Sequence, residues 1–157
     1  MQSRCRTYAT ARSLGCVGRR YATLGQGIDV NRAADWLKMA QRDLGLAEVA
    51  AASGYHEGAA FHAQQSAEKA VKALIQHLHG TVRGHAISEM LSRLPSPVVV
   101  PKALLRSAEE LDKVYVTSRY PNAFSSGSPD QYFDERASGT LISYARDILD
   151  FCRNKMA

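Results

Sequence analysis

A run of small apolar residues at helical spacing, in the middle of the chain, most constrains the fold. Between about residues 56 and 79, apolar side chains recur every three or four positions, at Ala60, Ala63, Ala67, Ala70 or Val71, Leu74 and Leu78. This spacing predicts an amphipathic helix that closes at Gly80. Because most of its apolar face is alanine, we expect a neighbouring helix to approach it closely.

The same periodicity predicts helices along most of the chain. A first helix is predicted over about 32–52, capped by Asp29 or Asn31 and ended by Ser53-Gly54, with Trp36 widening its apolar stripe. Further helices are predicted over about 86–94, over about 102–118, and from a Ser128-Pro129 cap to about 154. No strand pattern stands out in the sequence. The sequence therefore predicts an all-α, up-down antiparallel bundle of four long helices and one short helix.

The charge of the chain divides it into two parts. Residues 1–28 hold five arginines and no acidic residue, whereas residues 29–157 hold 15 basic and 15 acidic residues. We expect residues 1–28 to be a disordered basic extension and residues 29–157 to be one helical-bundle domain. The extension suits an arm that seeks RNA or a membrane surface, a targeting segment, or sequence upstream of the true start codon.

Cysteines and motifs exclude several classes of protein. The three cysteines, Cys5, Cys16 and Cys152, are too far apart to indicate a zinc site or a disulfide framework, which favours a reducing, cytoplasmic setting. No apolar run approaches the roughly 18–20 residues of a membrane-spanning helix. No glycine-rich phosphate loop is present, and we predict neither a metal nor a cofactor.

A polar stripe flanks the alanine face of the second helix. His62, Gln65, Lys69, Lys72 and Gln76 follow one another at three- and four-residue steps and so line one face. Two lysines and a histidine can hold phosphate oxygens there, while the glutamines contact a base or ribose. A solvated face, supported by the Glu68–Lys72 pair, is the alternative.

Two further positions are candidates. Arg119 ends the fourth helix and precedes Tyr120-Pro121, so its guanidinium either binds an anion or caps helix carbonyls. His85 follows a glycine and precedes the short helix, where a histidine is most simply a cap or a loop hydrogen-bond partner. Tyr115, Tyr132 and Tyr144 are predicted to be core aromatics with surface hydroxyls.

Taken in order, four pieces of the chain resemble the HEPN family. The second helix contains GAAFHAQQSAEKAVKALIQ, similar to the family's signature of an aromatic-alanine stretch, Gln-Gln and Glu-Lys. WLKMAQRDLGLAE resembles its opening helix, and Gly84-His85 resembles the entry to its short helix. Tyr115 with Arg119-Tyr120-Pro121 resembles the element that ends its penultimate helix. The resemblance covers about residues 30–155.

The resemblance implies a dimer of helical bundles with a polar cleft near the dimer seam, beside a nucleotidyltransferase partner in a toxin–antitoxin-like pair. It implies a nucleotide- or RNA-binding site, for which the predicted residues are His62, Gln65, Lys69, Lys72, Arg119 and Tyr120. Ribonuclease members carry a histidine four to six residues beyond the arginine, and here no histidine follows His85. The alternatives are a metal-independent ribonuclease using Arg119 with His62 or His85, and a ligand-free protein-interaction scaffold.

Overall fold

A computed structural model describes residues 31–81 and 84–157 of the protein. These residues form five α-helices: α1 (Ala33–Ala52), α2 (His56–His77), α3 (Ile87–Ser92), α4 (Lys102–Thr117) and α5 (Glu135–Met156). Short 3-10 turns lie at Pro121–Ala123 and Pro129–Gln131. The described residues contain no strand, which confirms the all-α bundle. The extension predicted for residues 1–28 lies outside the described residues.

Helix α2 lies at the centre of the bundle and packs against α1, α4 and α5. Its predicted alanine face is fully buried, because Ala60, Ala63, Ala67 and Ala70 have no exposed surface. Helix α1 runs antiparallel to α2, since Trp36 near the start of α1 contacts Lys72 near the end of α2. The small side chains of α2 thus let the surrounding helices approach one central helix.

The helix ends confirm one prediction and correct another. Ser53-Gly54 follows the end of α1 as predicted, and Gly54 has a φ of +83°, in the left-handed region that glycine tolerates. The start predicted for the last helix at Ser128-Pro129 is wrong, because these residues form a separate 3-10 turn. Helix α5 starts at Glu135 instead, and the Asp134 carboxylate accepts a hydrogen bond from the Ala137 amide at 2.7 Å.

The burial of three side chains corrects or extends the sequence prediction. Tyr132 is 47% exposed, so it is not a core aromatic; its ring stacks on Phe124 at 3.8 Å in the loop before α5. Trp36 is partly buried and not fully inward. Cys152 is completely buried, and burial raises the pKa of its thiol to about 12.

No helix in the described part of the chain is long and apolar enough to cross a membrane.

Candidate functional site

Asp43 of α1 joins two of the predicted site residues. Its side chain is largely buried, and one carboxylate oxygen lies 3.3 Å from Nδ1 of His62. The other oxygen accepts a hydrogen bond from the Lys69 ammonium. His62 and Lys69 are seven residues apart on α2, which places them two turns apart on the same face. A single carboxylate from the neighbouring helix therefore holds both side chains.

Glu68 organises a second group of polar side chains. It is 4% exposed, and its carboxylate accepts hydrogen bonds from Lys72 Nζ at 2.7 Å and from Gln64 Nε2 at 3.1 Å. His85 Nδ1 lies 3.1 Å from the same carboxylate. Gln65 donates to the side-chain oxygen of Gln64 at 2.8 Å, which connects the third turn of α2 to this cluster. The buried charge of Glu68 is thereby satisfied by several donors.

Helix α4 holds His85 against this cluster. The Asp112 carboxylate accepts hydrogen bonds from the amides of Ile87 at 2.6 Å and Ser88 at 3.1 Å, so it caps α3 from another helix. One turn further along α4, the Tyr115 ring stacks on His85 with centroids 4.8 Å apart and planes inclined by 16°. These contacts fix the position of the imidazole.

Arg119 lies just beyond the end of α4 and is surrounded by aromatic rings. Its guanidinium carbon is 4.6 Å from the ring centroid of Phe61, 4.5 Å from Tyr115 and 5.1 Å from Tyr120. Nε donates to the Tyr115 carbonyl at 3.0 Å, so the predicted helix-capping contact is present. Within residues 31–81 and 84–157, no carboxylate pairs with Arg119. Its terminal nitrogens keep their donors for another group.

In the described part of the chain, both lysines of the site have a carboxylate partner and Arg119 has none. Lys69 is paired with Asp43 and Lys72 with Glu68, with all four side chains less than one-fifth exposed. Because an ionised carboxylate only accepts hydrogen bonds, Nδ1 of His62 and of His85 carries the proton. In this tautomer the lone pair of Nε2 is left for a ligand.

The predicted residues fall into three connected groups. His62 and Lys69 meet at Asp43; Gln65, Lys72 and His85 meet at Glu68; Arg119 and Tyr120 meet beside Phe61. Phe61 joins the first and third groups, because its ring contacts the His62 ring edge-on at 5.3 Å. Gln76 lies apart from these groups and accepts a hydrogen bond from the Arg32 amide at 3.2 Å.

Sequence reasoning missed Asp43, Gln64 and Phe61. Asp43 had a detectable signal: it lies three residues after Ala40 and four before Ala47, on the apolar stripe of α1. An acidic residue on a buried stripe requires a cationic partner. Phe61 gave no such signal, because its partner Arg119 is 58 positions away in the sequence.

Comparisons with known proteins agree on one family. The model of the family described as "HEPN domain" matches residues 33–155. A Methanocaldococcus jannaschii protein named "Putative toxin MJ1304" is 27% identical over 138 residues, covering 82% of this chain and 90% of that protein.

Two solved structures resemble the fold over most of the chain. TT1696 from Thermus thermophilus is 36% identical with a TM-score of 0.78, covering 80% of this chain and 98% of that one. ST0689, described as an archaeal HEPN homologue, is 41% identical with a TM-score of 0.69 and the same two coverages. With the family model covering all five helices, the chain belongs to the HEPN domain family.

Proposed function

We propose that this protein is a nucleotide- or RNA-binding module that acts as a homodimer with a nucleotidyltransferase partner in a toxin–antitoxin-like pair. The observation that carries the binding proposal is Arg119, a guanidinium among aromatic rings that pairs with no carboxylate in the described part of the chain. The name of the Methanocaldococcus jannaschii relative supports the toxin–antitoxin-like role.

The surroundings of Arg119 suit a phosphate group. The Phe61 and Tyr115 rings and the Nε hydrogen bond to the Tyr115 carbonyl hold the guanidinium in one orientation. A guanidinium that is already ordered loses less side-chain entropy when its terminal N–H groups bind two phosphate oxygens. The neighbouring aromatic rings offer surfaces on which a nucleobase stacks.

Lys69 and Lys72 offer a ligand hydrogen-bond donors but little unbalanced positive charge. Each ammonium has three protons and uses one of them on a carboxylate, Asp43 for Lys69 and Glu68 for Lys72. The remaining protons are available to a ligand, but the positive charge is already balanced. We therefore assign the main phosphate contact to Arg119 and secondary hydrogen bonds to the two lysines, His62, Gln65 and Tyr120.

Replacing Arg119 tests the binding proposal. We expect Arg119→Ala to weaken binding of AMP and of a fluorescein-labelled oligoribonucleotide about ten- to hundredfold, since a charge-assisted hydrogen bond contributes about 1.5–3 kcal/mol. Calorimetry measures the first affinity and fluorescence anisotropy the second. Arg106→Ala, which removes an exposed arginine within α4, is the matched control and should change neither affinity. Equal effects of the two variants would contradict a specific site at Arg119.

A metal-independent ribonuclease is the second candidate, favoured by the two carboxylate-oriented histidines. His62 rests on Asp43 and His85 on Glu68, and each keeps Nε2 for proton transfer. Incubating purified protein with RNA in EDTA distinguishes the candidates. Under the binding proposal the RNA stays intact. Cleavage that is lost in His62→Ala or His85→Ala, while the affinity for RNA is retained, would establish the enzyme instead.

A further inference from the structure

A groove beside Trp36, the sole tryptophan, lies next to the site and shares only Lys69 with its three groups. It has a volume of about 440 Å³ and is lined by Arg32, Asp35, Trp36 and Met39 of α1 or its N-terminal edge, and by Lys69 of α2. This volume is within the range of small-molecule sites, about 300–1,000 Å³. Its apolar side chains are an indole and a thioether, which suit contact with an apolar planar group.

The edge of the groove is held in place by contacts to α2. The Arg32 amide donates to Gln76 Oε1 at 3.2 Å, and Asn31 Nδ2 donates to the Gln76 carbonyl at 3.3 Å. Asn31 also accepts from the Ala33 amide at 3.0 Å, which satisfies a free donor at the start of α1. The groove is therefore formed before any ligand enters, and this lowers the entropic cost of binding.

The groove is continuous with the polar site. Lys69 lines the groove and also pairs with Asp43, which holds His62. Lys72, which pairs with Glu68, places its ammonium 5.6 Å from the centroid of the Trp36 ring. Both lysines thus link the polar site to the groove along α2.

Within the part of the chain that the structure describes, the charges at the Trp36 groove are paired, whereas the charge of Arg119 is not, so the two ends suit different chemical groups. Among the described residues, the charged side chains that line the groove have partners of opposite sign, Arg32 with Asp35 at 2.8 Å and Lys69 with Asp43, and the neighbouring Lys72 pairs with Glu68. A formally neutral groove with an aromatic wall favours an uncharged planar ring. The unbalanced positive charge lies at the other end of the site, at Arg119, and favours an anion. A nucleobase and a backbone phosphate have this complementary pair of properties.

The separation along α2 between the Trp36 groove and Arg119 indicates the length of the ligand. Trp36 contacts Lys72 and Arg119 contacts Phe61, and these two α2 residues are 11 positions apart. At 1.5 Å per residue the separation along α2 is about 16 Å. Stacked nucleotides advance about 3.4 Å per step, so about five of them cover this distance.

We propose that the Trp36 groove is a nucleobase subsite for a single-stranded oligonucleotide whose phosphate is held at Arg119. This inference rests on the proposed function and specifies its ligand as a strand of several nucleotides. Lys69 and Lys72 lie along the path between the two ends. The strand gains affinity from stacking at the groove, which a mononucleotide bound at Arg119 does not reach.

The single tryptophan of the chain reports directly on the groove. Trp36 fluorescence is titrated with AMP, ATP and penta-adenylate RNA, while calorimetry gives the three affinities. We expect penta-adenylate to quench Trp36 and to bind at least tenfold more tightly than AMP, with no quenching by AMP or ATP. Quenching by ATP equal to that by penta-adenylate would overturn the assignment to a strand.

Variants separate stacking from folding. Trp36→Ala should weaken penta-adenylate binding about tenfold or more and leave AMP binding unchanged, as expected for one stacked base. Trp36→Phe should retain most of the affinity. Because Trp36 is partly buried, Met39→Glu provides a second route: Met39 is 48% exposed, and a negative charge there should repel the strand. Gln41→Glu, an exposed position of α1 with the same change in charge, is its matched control.

The outcomes distinguish this inference from the proposed function. If ligands bind in an Arg119-dependent manner but neither Met39→Glu nor Trp36→Ala affects penta-adenylate, the groove is not a subsite and the proposed function stands. If no nucleotide or oligonucleotide binds the wild-type protein, both proposals fail. Light scattering should give the same mass for Met39→Glu and wild type, which excludes an indirect effect through assembly.

Discussion

Asp43 and Glu68 are the residues on which the polar side chains of the site depend. Both side chains are largely buried, with Asp43 12% and Glu68 5% exposed, and each holds one lysine and one histidine. Removing a lysine would leave its carboxylate charged in a poorly hydrated position, which costs more than the intact pair contributes. Lys69 and Lys72 therefore contribute to the stability of the fold as well as to the proposed binding site.

Lys69→Met tests this dual role. We expect the free energy of unfolding to fall by about 2 kcal/mol, because Asp43 is left without its cation. The double variant Asp43→Asn with Lys69→Met should recover part of the loss. Lys38→Met, at an exposed position of α1, should stay within about 0.5 kcal/mol of wild type. Urea denaturation gives all four values, and an unchanged Lys69→Met would show that the pair contributes nothing.

Among the helices, α5 differs most from its sequence prediction. Ser128-Pro129-Asp130-Gln131 has the composition of a helix start, yet it forms a single 3-10 turn before the helix. The cap contact is made by Asp134, whose carboxylate reaches the Ala137 amide. Phe133, just before the start of the helix, packs against the core. Local composition thus located the segment correctly but not its first turn.

We expect substitutions at Asp134 and Ser128 to affect stability to different extents. Asp134→Ala should lower the free energy of unfolding by about 1 kcal/mol, because it removes the acceptor for a free helix amide. Ser128→Ala should change it by less than about 0.5 kcal/mol, because the Ser128 hydroxyl donates to Asp130 within an exposed turn and not to the helix. Thermal unfolding monitored by circular dichroism compares the two variants. A larger loss for Ser128→Ala would contradict the start of α5 at Glu135.

At the scale of the whole molecule, the buried alanine face and the exposed apolar surface lie on different helices. The alanine face of α2 is buried within the chain, so it cannot also form a contact between two copies. The C-terminal half of α1 and the following turn expose large apolar side chains instead, with Leu46 at 47%, Val49 at 61% and Tyr55 at 65%. An exposed apolar surface of this kind is typical of an interface.

We predict that the protein is a homodimer that uses this surface of α1. Light scattering should give twice the mass of one chain, and Leu46→Asp should shift the equilibrium toward the monomer because a carboxylate would be buried in the interface. Val99→Asp places the same charge at another exposed apolar position, 78% exposed, and should leave the dimer intact. A monomer at tens of micromolar for the wild type would argue against the dimer altogether.

Periodicity in the sequence was sufficient for the all-α class, the five helices of the described residues and the buried alanine face of α2. These properties depend on residues three and four positions apart, which are neighbours on any helix. The polar stripe of α2 was visible for the same reason.

The tertiary structure alone decided which partners the stripe has. Lys69 meets Asp43 across 26 positions, and Arg119 meets Phe61 across 58. Such pairs depend on how each helix is rotated about its axis and how far it is shifted along its neighbour. Those quantities follow from the packing of whole apolar faces, and the spacing of residues within a single helix does not determine them.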